Sequence, residues 1–99
     1  MKEEKIYYVY IITNKYDKVL YIGTTRNLEN RIRQHKNKEL TGFSEKYNLN
    51  KLVYYEEFEM AIEAFDREKQ LKNWHREWKI NLIKTMNIEF KDLAKEWYE

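Results

Sequence analysis

Residues 21–35 read YIGTTRNLENRIRQH, and within them the chain changes from one backbone habit to another. Tyr21 and Ile22 continue the β-branched and aromatic run that begins at Val19, which suits a strand, and Gly23 is expected to end it. From Asn27 the period becomes helical. Leu28, Arg31, Ile32 and His35 fall at i, i+3, i+4 and i+7, one helical face, with Asn27 as the N-cap. A strand that hands over directly to a helix bearing cations sets the architecture, and the rest of the chain is read outward from it.

Upstream, IYYVYIIT over 6–13 is apolar or aromatic on both alternating faces, the pattern of a strand covered on both sides. It is expected to be the central strand. A polar turn from Asn14 to Lys18 makes Lys5 to Thr13 and Lys18 to Gly23 a hairpin. Downstream, Lys38 to Leu49 shows no period and is expected to be a long loop, a length that is often functional. LVYYEEF, Leu52 to Phe58, supplies a third strand. Helices are expected over Met60 to Asn73 and Arg76 to Thr85, with a short C-terminal helix over Lys91 to Trp97. The order β-β-α-β-α-α in 99 residues predicts one small α/β (α+β) domain, a three-stranded, mainly antiparallel sheet flanked by helices. Its core is expected over residues 6–85, with an extension over 86–99.

Composition narrows the chemistry. With no cysteine there are no disulfides and no thiolate metal sites, so oxygen and nitrogen groups must carry any activity. No apolar run approaches the about 18 residues of a membrane span, and MKEEK leads into a strand instead of a signal-peptide core. A cytoplasmic protein is expected. The net charge of +2 argues little, but its distribution argues more. Arg26, Arg31, Arg33, Lys36 and Lys38 meet only Glu29 between them, whereas Glu56, Glu57, Glu59, Glu63 and Asp66 stand unopposed. One side should be basic and another acidic.

Two helices place polar groups where apolar ones belong. On a wheel of about 100° per residue, His35 lies within the arc of Leu28 and Ile32, and Arg31 lies on its border. On the later helix, Glu68 falls between Ala61, Ala64, Phe65 and Leu71, inside the expected buried stripe. Removing a carboxylate from water costs several kcal/mol unless it is paired or binds a metal. Its candidate partners are Arg31, His35 and a divalent ion, so an internal Glu68–Arg31 ion pair stands beside a metal site as a reading. Tyr10 and Tyr21, neighbours across the hairpin, could aim their hydroxyls at the same edge, since a buried hydroxyl wants a partner.

The YVY of Tyr8 to Tyr10, the YIG of Tyr21 to Gly23, the NLENR of Asn27 to Arg31 with His35 one turn on, and AFDREKQLK around Glu68 resemble the GIY-YIG nuclease family. The likeness runs from about Ile6 to Trp74 and looks closest to the small stand-alone UPF0213-like members. The position matching the first glycine of the signature is Tyr8. The resemblance implies an endonuclease that hydrolyses phosphodiester bonds in DNA, branched or damaged DNA included, with Mg²⁺ or Mn²⁺ and a setting in repair or recombination. It implies Tyr10 and Tyr21 at the attacking water, Arg31 at the scissile phosphate, Glu68 as metal ligand and His35 in proton relay. Gly23, Arg26, Arg33 and Lys36 would face substrate, and so would a late asparagine, taken as Asn87 over Asn73 and Asn81. A homodimer or a separate specificity partner could supply selectivity. The alternatives are a nucleic-acid-binding module that cleaves nothing, held by phosphate contacts, and a protein-interaction domain using the acidic strip or Trp74, Trp78 and Trp97.

Overall fold

The computed structural model describes residues 5–40 and 42–98, without the side chain of Ser44. Three antiparallel strands, β1 (Tyr7–Thr13), β2 (Leu20–Thr25) and β3 (Lys51–Phe58), form one sheet in the order β2-β1-β3. β1 is the central strand because its apolar residues alternate between two cores. Val9 and Ile11 face a cluster with Ala64, Leu71 and Ile83, while Tyr10 and Ile12 face one with Leu28, Ile32, Leu49 and Leu52. Both faces are dry, as the unbroken run of residues 6–13 requires.

α1 (Leu28–Lys36) covers the Tyr10 face, and α3 (Ala61–Lys72) with α4 (Arg76–Met86) covers the other. The fold is α+β, in the predicted order, with one addition. A single turn, α2 (Phe43–Lys46), interrupts the segment expected to be irregular between α1 and β3. α1 begins where the sequence says it should: the Asn27 side chain accepts from the backbone N–H of Asn30 at 3.0 Å. The β1–β2 turn is closed by Asn14, whose Oδ1 accepts from the Lys18 N–H at 2.8 Å.

Three expectations change. β2 does not end at Gly23 but continues to Thr25, since Gly23 pairs with Tyr10 inside the ladder. The segment over 91–98 is a run of turns in place of a helix, with bonds from Lys95 N–H to Asp92 O and from Trp97 N–H to Ala94 O. Asp92 fixes it by accepting from the Leu52 and Ala94 N–H groups and pairing with Lys36. Its carboxylate competes with helical backbone bonding, as short acidic side chains do. Finally, Phe65 is 54% exposed. The buried side of α3 is centred on Ala64 and Leu71, so Phe65 turns outward and Glu68 lies at the margin of the stripe and not in its middle.

The ladder between β1 and β3 slips at Ile11 and Ile12, leaving Val53 as the extra residue of a β-bulge. Asn87, at the end of α4, donates its side-chain amide to the Val53 carbonyl at 3.2 Å, which the interrupted ladder would otherwise leave short of a donor. On the α3 face, Arg67 holds Glu56 with two parallel bonds, Nε to Oε1 at 2.8 Å and Nη2 to Oε2 at 2.9 Å, and lies 5.2 Å from the Trp74 ring centre. Part of the acidic strip is therefore neutralised internally. Trp74 and Trp97 pack on the two cores, while Trp78 is 54% exposed.

Candidate active site

The site is built around the Tyr10 side chain. Tyr10 and Gly23 are directly opposed on β1 and β2. In an antiparallel pair, opposed side chains lie close together on the same face. With no side chain at 23, the Tyr10 ring lies across the β2 backbone: a Cβ on Gly23 would fall 2.5 Å from the Tyr10 hydroxyl oxygen and 2.6 Å from Cζ. The glycine thus makes the track along which the hydroxyl reaches the outer edge of the sheet.

At that edge α1 supplies His35, 4% exposed, whose Nε2 is hydrogen-bonded to the Tyr10 hydroxyl at 3.0 Å. Tyr21, diagonal to Tyr10 across the hairpin, closes a three-ring cluster. Its centroid lies 6.4 Å from Tyr10 and 5.8 Å from His35, and Tyr10 and His35 are 5.7 Å apart. Arg31, one turn before His35 on α1, is half-buried beside them. From the opposite face α3 packs over β1 and β2 and brings the Glu68 carboxylate within electrostatic range of the Tyr10 hydroxyl.

Burial and the second phenol of Tyr21 push the Tyr10 pKa well above that of a free phenol. The Arg31 guanidinium pulls it down and Glu68 raises it again. His35 moves the other way: burial, reinforced by the Arg31 charge, lowers it to about 4. At neutral pH the pair is a protonated phenol against a neutral imidazole, and the imidazole tautomer decides which of the two donates the bond.

Glu68 is not sealed against Arg31. Its side chain is 24% exposed, and among the described residues its ion pair is a long one to Lys72, 3.7 Å, on its own helix. The buried-pair reading of the sequence is therefore not the geometry adopted. Among the described residues no group of three or more His, Asp or Glu side chains gathers to enclose a metal ion. What is present is one partly exposed carboxylate. That suits a hard, hydrated ion such as Mg²⁺, which keeps several waters and borrows phosphate oxygens from a substrate.

The expected substrate contacts divide. Arg26 is exposed, its guanidinium 5.6 Å from the Tyr7 ring centre. Arg33 pairs with Glu39 at 3.2 Å and also bonds Asn30. Lys36 is occupied by Asp92 and by the Asn50 carbonyl at 2.8 Å. Asn87 is 7% exposed, and its amide is committed to main-chain partners: Val53 O, Lys91 O at 2.7 Å and Lys91 N–H at 3.0 Å. This corrects its placement at substrate, because the amide that would bind is already satisfied by the scaffold. Sequence reading missed Phe43 and Tyr47, two rings at i and i+4 beside the site. Phe43 stacks on Tyr21 at 6.0 Å, and Tyr47 lies 4.7 Å from Phe43. Their i, i+4 spacing inside an otherwise polar stretch was the available signal.

With this geometry in hand, comparison with known proteins is decisive. The family model described as the GIY-YIG catalytic domain matches residues 6–81. The chain belongs to the GIY-YIG family. Within it the relatives are UPF0213 proteins. One from Clostridium perfringens is 42% identical over 93 residues, covering 90% of this chain and 95% of the relative. Another, from Staphylococcus saprophyticus, is 35% identical over 77 residues, covering 78% and 93%. The solution NMR structure of a UPF0213 protein from Bacillus halodurans superposes with a TM-score of 0.57 at 24% identity, covering 92% of this chain and 96% of that one. That likeness concerns the fold. Membership makes this GIY-YIG domain a member of a nuclease family whose enzymes generally use divalent metals, and its three-ring cluster, Arg31 and Glu68 all lie within the matched span. Among its described residues no helix is long and apolar enough to cross a membrane.

Proposed function

We propose that the protein is a divalent-metal-dependent endonuclease that hydrolyses phosphodiester bonds in DNA, with Mg²⁺ or Mn²⁺ as the ion. The observation that carries this reading is the hydrogen bond between the Tyr10 hydroxyl and a neutral, buried His35 Nε2, with Arg31 and Glu68 both in electrostatic range of that hydroxyl.

The residues divide the work. Water attacks phosphorus while its proton passes to the Tyr10 oxygen and the Tyr10 proton passes to His35 Nε2. Burial disfavours a standing phenolate at Tyr10 and keeps His35 a neutral imidazole at neutral pH, whose Nε2 takes up the proton in the tautomer that carries its own on Nδ1. Tyr21 packs against both rings and holds their orientation. The Arg31 fork matches the two non-bridging oxygens of a phosphate and stabilises charge that develops there. Glu68 would hold the ion, whose chemistry when bound is to polarise the phosphate and stabilise the departing oxygen. Arg26 and the basic side of α1 would contribute sequence-independent phosphate contacts. DNA repair or recombination is the setting that suits such an activity.

Supercoiled plasmid incubated with the protein and Mg²⁺ or Mn²⁺ tests the reading. Nicking by the wild type, its loss in EDTA, and its loss in Tyr10→Phe and Glu68→Ala with binding retained are the expected results. Salt-sensitive binding without cleavage by the wild type would replace the enzyme with a binding module.

A further inference from the structure

Phe43 and Tyr47, on the one-turn helix α2, are 47% and 37% exposed. Folding ordinarily buries such rings, and these two lean on each other and on the site instead of entering either core. Phe43 is stacked on Tyr21 at an interplanar angle of 30°, so a ledge of aromatic rings runs outward from the Tyr10, Tyr21 and His35 cluster into solvent. The Lys46 ammonium lies 5.4 Å from the Tyr47 ring centre, placing a cation beside the outer ring.

We propose that Phe43 and Tyr47 form a stacking ledge for an unpaired nucleobase flanking the scissile phosphate, so that the preferred substrate is single-stranded DNA or a duplex with a single-stranded arm. This rests on the nuclease reading above and adds the substrate class to it. Two features select this occupant. The ledge begins at Tyr21, beside the residues that would meet the phosphate, so a base flanking that phosphate lies within reach of these rings. The Lys46 ammonium beside Tyr47 suits the phosphate of that same nucleotide, whereas an apolar peptide would have no use for it. Bases inside a duplex have both π faces covered by neighbours, but an unpaired base offers a face to an aromatic ring. Ring stacking is also indifferent to base sequence.

The full chain is titrated in EDTA, where nothing is cut, into a fluorescein-labelled oligothymidine of about 12 nucleotides and into its duplex with oligodeoxyadenosine, and anisotropy is read. Phe43→Ala and Tyr47→Ala should each weaken single-strand binding about tenfold, while duplex binding, carried by phosphate contacts, stays within about twofold. Phe43→Tyr and Tyr47→Phe keep a ring and should bind as wild type does. A readout without substitution accompanies it: an oligonucleotide bearing 5-iodouracil, irradiated with the wild type, should crosslink to the peptide holding Phe43 and Tyr47. Equal losses on both DNAs, no loss on either, or crosslinks confined to other peptides would overturn the ledge while leaving nicking, and with it the nuclease reading, intact. A wild-type dimer that dissociates on Phe43→Ala would overturn it too, by assigning the rings to a second copy. Wild type that neither binds DNA nor nicks plasmid would overturn the nuclease reading itself.

Discussion

The Tyr10 ring fills the space above Gly23 so completely that a single methyl group there would collide with its hydroxyl oxygen and its Cζ carbon, at 2.5 and 2.6 Å. The tight contact is a choice about where the hydroxyl goes. Over any other residue the ring would have to swing away from the edge of the sheet and release His35.

Gly23→Ala should therefore lose stability and activity together. Overpacking a buried site costs about 1–3 kcal/mol, and in a domain of this size each kcal/mol lowers Tm by about 4–8 °C. Tyr10→Phe in the Gly23→Ala background should not restore the lost stability, because the Cζ contact remains when the hydroxyl is removed. Thermal melts of the wild type and the two variants check this, and full recovery in the double variant would show that the hydroxyl alone sets the constraint.

His35 makes stability depend on pH in a defined direction. Its folded pKa, about 4, lies below the ordinary value of 6.5, so between those limits the unfolded chain binds a proton that the folded chain refuses. The contribution of the neutral ring is fully present above about pH 6.5 and is lost as pH falls toward 4, by at most about 3 kcal/mol. Urea denaturation at pH 7.5 and pH 5 should show the wild type losing stability on acidification, with His35→Gln losing distinctly less. Equal slopes in the two proteins would remove His35 as the source.

Glu68 should be dispensable for folding and required for metal. Its side chain is partly open, and the ion pair it makes within the described residues is the long one to Lys72. Exposed pairs of this kind contribute about 0–1 kcal/mol. Glu68→Gln is expected to melt within a few degrees of wild type, to lose at least about a hundredfold in nicking rate, and to abolish the broadening that Mn²⁺ produces in the NMR signals of nearby residues. Unchanged broadening in the variant would place the ion elsewhere.

On the far side of the sheet, the Glu56 and Arg67 fork is a stability element. Burial alone would raise the Glu56 pKa, but bonds from Arg67 and from the Tyr54 hydroxyl, the latter 2.5 Å long, reverse the sign and hold it below the usual carboxylate value. With side-chain exposures of 21% for Arg67 and 17% for Glu56, truncating either should cost about 1–3 kcal/mol. Arg67→Lys should recover little of it, since an ammonium cannot make two parallel bonds. Chemical denaturation distinguishes these outcomes directly.

Much of this was legible in the residues, and the failures share a cause. The unbroken apolar run of β1, the Asn27 cap and the switch of period after Gly23 are local properties, and local properties survive folding. The stripe of α3 was misjudged because a wheel shows which residues share a face, not which face the sheet will cover. Phe65 and Leu71 compete for the inward position, and tertiary packing chose Leu71. The reason for Gly23 was hidden for a similar reason: it depends on which residue of β1 stands opposite, a matter of register across the hairpin. Asn87 looked like a ligand because a bulge at Val53 cannot be seen in sequence. Phe43 and Tyr47 escaped notice because a single helical turn is too short to establish a period.

Arg31 and Glu68 approach Tyr10 from helices that cover opposite faces of the sheet. Neither layer alone carries the full set of groups, so on the nuclease reading proposed above a chain with only one helical layer docked would have no hydrolytic centre. Cutting power would then arrive only once both layers are docked, which would make nicking itself a stringent reporter of complete folding and would spare nucleic acid from half-made chains.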